Sequence, residues 1–109
     1  MIRSEEHHGV GVLAVEGDLA GQATIELRNA AQRFLDRRIN DVVIDLEKTS
    51  TLDSSALETL LWLRRRCDVA AGQFTLAGAN QTVIKILEMT RLEHRFPRAS
   101  DVTAALKVR

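Results

Sequence analysis

A chain of 109 residues with 45% apolar and 28% charged side chains has the composition of one ordinary folded domain, too apolar for disorder and too short for a second core. Fifteen basic and fifteen acidic residues cancel to a formal charge of zero, which leaves no electrostatic footprint for nucleic acid or an anionic membrane surface. The one cysteine, Cys67, excludes an internal disulfide. No apolar run approaches the roughly 20 residues of a membrane span, and Glu5 and Glu6 do not fit a signal peptide. No membrane insertion is expected, and the cytoplasm is the expected compartment.

In chain order, residues 2–7 read as a short edge strand and His8-Gly9 as a turn. Residues 10–16 alternate, with Val10, Val12, Ala14 and Glu16 on one face and Gly11, Leu13 and Val15 on the other, the pattern of a second strand. Leu27, Ala30, Ala31, Phe34 and Leu35 keep helical spacing and predict a helix over 23–37. Val42, Val43, Ile44 and Leu46 form the β-branched run of a strand covered on both faces. A helix over 55–70 follows, with Leu57, Leu60, Leu61, Leu63 and Cys67 as its inward set and Gly72 as its stop. Arg64-Arg65-Arg66 falls late in that helix and solvates its outer face.

Residues 74–77 form a fourth apolar strand, and 82–91 a third helix with Val83, Ile86, Leu87 and Thr90 on one stripe. Residues 95–96 read as a last short strand stopped by Pro97, and Ser100 as the cap of a closing helix through Leu106. Strands alternating with helices imply parallel neighbours and right-handed crossovers, with the opening hairpin as an antiparallel edge. The expectation is an α/β domain spanning 1–109, with a mixed, mainly parallel sheet and about four helices. What covers the second face of the 42–46 strand is left open by the sequence.

The most informative segment is 41–61, DVVIDLEKTSTLDSSALETLL. It places three N-cap residue types, Asp53-Ser54-Ser55, where a strand's carboxyl end meets a helix's amino end, the usual ligand or partner position in α/β proteins. Ser55 with Glu58 reads as an S-x-x-E capping box, which leaves Ser54 just outside the helix and exposed. Phosphorylated there, Ser54 gains about −1.5 to −2 charge near the positive helix end, while Asp53 repels the new group.

Other chemistry finds no support. His7 and His8 point to opposite faces of a strand, His94 is remote, and no C-x-x-C or H-E-x-x-H spacing occurs. No glycine loop precedes a helix in a phosphate-cradling arrangement. No histidine lies within 9–93 to act as base for either serine. Neither an enzyme, nor a metal site, nor a cofactor is expected. If the leucines fill the inward arc of the 55–70 helix, Trp62 falls at its boundary. It is then either a half-exposed partner anchor or packed against a neighbouring helix.

The 41–61 segment resembles the signature of the STAS domain found in bacterial anti-sigma-factor antagonists. The resemblance extends through Gly17-Asp18-Leu19 before the first helix, FTLAGAN at 74–80 with the helix after it, and Phe96-Pro97 before the closing helix. It implies a non-enzymatic signalling module that binds a kinase-type anti-sigma factor, is phosphorylated by it on the serine after the aspartate, and is restored by a phosphatase. That serine is Ser54, with Ser55 as the alternative. With Trp62 added from its spacing on the second helix, the expected partner-binding set is Asp18, Asp53, Ser54, Ser55, Glu58 and Trp62. The family pattern D-S-S-G-x-G has glycines where this chain has Ala56 and Glu58, and its Gly-Glu-Leu-Asp loop reads Gly17-Asp18-Leu19-Ala20 here. A competing expectation is an unphosphorylated STAS scaffold or accessory subunit of a signalling or transport assembly, in which Ser54 only caps.

Overall fold

The computed structural model describes residues 1–107. Its elements are β1 (Ile2–His7), β2 (Val10–Val15), α1 (Gln22–Asp36), β3 (Asp41–Asp45), α2 (Ser54–Val69), β4 (Phe74–Ala77), α3 (Gln81–Met89), β5 (Arg98–Ala99) and α4 (Val102–Lys107). They build one five-stranded sheet in the order β1-β2-β3-β4-β5. β1 pairs antiparallel with β2, and every later pair is parallel. The hairpin turn needs positive φ at both central residues to match the strand twist, and His8 (52°) and Gly9 (85°) supply it.

The alternation read in β2 separates two cores. Leu13 and Val15, with Val42, Ile44, Phe74 and Leu76, point to the side packed by α1, α2 and α3 through Leu27, Phe34, Leu60, Leu63, Val83 and Leu87. Val10, Val12, Val43 and Ala77 point the other way and meet Ala105, with Val102 and Leu106 packed around it. The closing helix therefore covers the second face of β3. That is why Val42, Val43 and Ile44 can all be apolar and buried.

Three local expectations are corrected. The last strand is Arg98–Ala99, while residues 93–95 form a turn and Phe96 is buried against Phe74, ring centroids 5.7 Å apart. Pro97 opens that edge strand instead of stopping the chain: lacking an N–H, it still offers the carbonyl that accepts the Leu76 amide at 2.9 Å. The cap of α4 is Asp101, whose carboxylate accepts the Ala104 amide at 2.7 Å; Ser100 lies before it.

The end of α2 is the third correction. The left-handed residue there is Ala71 (φ 59°), with Ala71 N donating to Asp68 O and Gly72 N to Cys67 O. This is a Schellman closure with alanine in the position usually given to glycine. Gly72 is required for a different reason: a Cβ there would stand 2.0 Å from the Asn40 carbonyl oxygen.

Candidate functional site

The site lies at the carboxyl ends of β2, β3 and β4, where the following loops are tied together. The loop after β2 runs parallel to the one after β3. Gly17 N donates to Lys48 O and Leu19 N to Thr51 O, both at 2.9 Å, and Asp53 N donates to Leu19 O at 3.3 Å. Leu19 and Leu52 form an isolated parallel bridge with both side chains buried, so the two loops are pinned by apolar anchors. Thr49 Oγ1 donates to Val15 O, and Asn80 Nδ2 donates to Thr49 O, each at 2.9 Å, which adds the loop after β4. Asp18, next to Leu19, is exposed on this assembly.

Asp53, in extended conformation (φ −105°), is the N-cap of α2. Its Oδ1 accepts the Ala56 amide at 2.9 Å and the Ser55 hydroxyl at 2.7 Å. The expected Ser55–Glu58 capping box is therefore absent. A carboxylate accepts the orphan amide more strongly than a hydroxyl, so the helix begins one residue earlier, at Ser54. Ser55, the second residue of α2, becomes a brace that donates back to the cap, and Ser54 stands within the helix as its first residue, not outside it. The Ser55 hydroxyl, reinforced by the Ala56 amide and more weakly by the Gly21 and Ser55 amides, holds the Asp53 carboxyl below its ordinary 3.8 despite some desolvation. Asp53 is therefore ionised at neutral pH.

Ser54 and Ser55 are both exposed, but their hydroxyls differ. Ser55 is committed to Asp53, whereas among the described residues the Ser54 hydroxyl has no hydrogen-bond partner.

A groove of about 420 Å³ opens beside this turn between α1 and α2, lined by Gly21, Thr24, Ile25, Arg28, Ser55, Glu58 and Thr59. Ile25 is 53% exposed, a large apolar side chain at its rim. The seam continues along both helices. Trp62, half-buried against the core, carries the Arg28 guanidinium 4.1 Å from its ring centroid and that of Arg66 at 5.5 Å. Arg66 in turn donates to Gln32 of α1 at 3.3 Å. Stacking of this kind contributes about 0.5–1 kcal/mol at exposed positions.

Of the six residues singled out in the sequence, Asp53, Ser54 and Ser55 share one turn, with the Asp18 loop bonded to it and Glu58 one turn on. Trp62 stands apart, eight residues and about 12 Å along the α2 axis from Ser54. It is both half-exposed and packed against a neighbouring helix, so the two sequence alternatives meet in one side chain. Sequence reasoning missed Ile25 and Arg28. The available signal was the order of the elements: two successive right-handed crossovers on one face set α1 beside α2, and Thr24, Ile25 and Arg28 recur at helical spacing.

A model of the STAS domain matches residues 1–105. The chain belongs to the STAS domain family. Solved structures that share its fold include the following three. An anti-sigma factor antagonist from Mycobacterium paratuberculosis is 23% identical, with 99% of this chain and 92% of that one covered and a TM-score of 0.87. The anti-sigma factor antagonist SpoIIAA in its unphosphorylated form is 21% identical, with 99% and 96% covered and a TM-score of 0.84. The Bacillus cell fate determinant SpoIIAA in its phosphorylated form is also 21% identical, with 100% of each chain covered and a TM-score of 0.78. The α/β STAS fold anticipated from 41–61 is thus the fold found. Among the described residues, no group of three His, Cys, Asp or Glu side chains is placed to hold a metal, and no helix is long and apolar enough to cross a membrane.

Proposed function

We propose that this STAS domain is a non-enzymatic switch of the anti-sigma-factor-antagonist type, working in the cytoplasm where ATP is available. Unmodified, it binds a kinase-type anti-sigma factor through the turn at Asp53, Ser54 and Ser55, the Asp18 loop and the Glu58 rim. The kinase moves the γ-phosphoryl group of ATP to Ser54 Oγ: the bond to ADP breaks, the new P–O bond forms, and the hydroxyl proton leaves to a base on the kinase. A phosphatase reverses the step by hydrolysis. The observation that carries this reading is the exposed Ser54 hydroxyl, unpartnered among the described residues and placed at the first position of α2 beside the ionised Asp53. Added phosphate meets the helix's positive end but also the Asp53 charge, so it alters the surface presented to a partner. The existence of the Bacillus relative in a phosphorylated form supports the reading.

One observation favours the second reading, an unphosphorylated scaffold. Glu58 places an acidic side chain in the groove beside Ser55, which resembles a fixed version of the modified state. Incubation with ATP and the cognate kinase, followed by mass spectrometry, separates the two. Full phosphorylation of the wild type and none of Ser54→Ala is the expected result. Full modification of Ser54→Ala moves the site to Ser55, and an unmodified wild type removes the switch in favour of the scaffold.

A further inference from the structure

Arg28 occupies two environments at once: its guanidinium lies over Trp62 at 4.1 Å, and its side chain lines the groove that also holds Ser55 and Glu58. Glu58 alone does not capture it, since among the described residues Arg28 makes no ion pair. We propose that Arg28 is the internal receiver of the phosphoryl group, leaving Trp62 when the Asp53–Ser55 turn is phosphorylated and so carrying the modification along the α1–α2 seam to a second surface patch. This rests on the reading of Ser54 as the phosphorylated residue.

Geometry and charge both support the transfer. Thr24 and Ile25 share the groove with Ser55, Ser54 immediately precedes Ser55 in the first turn of α2, and Arg28 stands four residues beyond Thr24, about 6 Å along the axis. Side chains on α1 lean toward its amino end, which is the end nearest the phosphorylated turn. A phosphoserine brings nearly twice the charge of Glu58 and three acceptor oxygens in the fork geometry that guanidinium matches. Arg66, held by Gln32, stays behind, so Trp62 loses one cover and keeps the other. The phosphate's effect then reaches Trp62, which is too far along α2 for a partner contact at Ser54 to sense directly.

The chain has a single tryptophan, so fluorescence reads this step without a partner present. Phosphoserine is installed at position 54 by genetic encoding, and emission and acrylamide quenching are compared with the unmodified protein. The expected result is a shift of emission to longer wavelength and stronger quenching on phosphorylation. In Arg28→Ala, or Arg28→Gln if the alanine variant does not fold, the long-wavelength emission should be present in both states. Identical spectra for the two wild-type forms overturn the inference, as does an undiminished shift in the Arg28 variants. Loss of partner binding with unchanged emission rejects this step alone, whereas a shifted emission with intact partner binding rejects the phosphoswitch alone.

Discussion

Asp53, not either serine, holds the start of α2. Its carboxylate takes the one orphan amide that a cap usually satisfies, so Asp53→Ala should clearly lower the midpoint of chemical denaturation. Ser55→Ala removes only a brace from the cap and should cost clearly less; equal losses in the two variants would contradict the assignment. The pH dependence has a definite sign. The folded carboxyl is held below its ordinary 3.8, so its contribution is complete above that value and is lost as pH falls through the lower folded one. Wild type and Asp53→Asn should therefore converge in stability in acid and separate toward neutral pH. The sequence offered three capping residue types in a row and the capping box favoured Ser55. What it could not show was that an aspartate two residues upstream of Ser55 has the stronger acceptor and the free geometry to use it.

At the scale of elements, the end of α2 carries two opposite expectations one residue apart. Ala71 occupies the left-handed region at φ 59°, so Ala71→Gly should raise stability by about 1 kcal/mol. Gly72→Ala places a methyl 2.0 Å from the Asn40 carbonyl oxygen and should cost about 1–3 kcal/mol or more as strand β3 is pushed aside. Thermal denaturation of the two variants should move in opposite directions. Element type was legible for all the long segments, because the spacing of Leu27, Ala31 and Phe34, or the β-branched Val42 to Ile44, is a strong local signal. The two-residue β5 was not. Phe96 looked like a strand residue because it is apolar and precedes a proline, yet its burial comes from a ring contact with Phe74, a tertiary fact with no local mark.

The whole molecule turns on where its two cores stop. α1, α2 and α3 share one face of the sheet and α4 takes the other, which frees the carboxyl ends of β2, β3 and β4 to meet in one surface. The position of the serine turn was readable from 41–61 alone, since any α/β crossover brings a strand end to a helix start there. The groove was not, because Ile25 and Arg28 belong to a helix 30 residues away in sequence and join the site only when α1 packs on α2. In the proposed switch, one phosphoryl group on Ser54 sets partner affinity through this surface. Calorimetric titration of the kinase-type anti-sigma factor into unmodified protein and into protein carrying phosphoserine at position 54 measures that difference. The unmodified form should bind and the modified one lose at least about tenfold in affinity, or ~1.4 kcal/mol; equal affinity for both forms would rule out the switch.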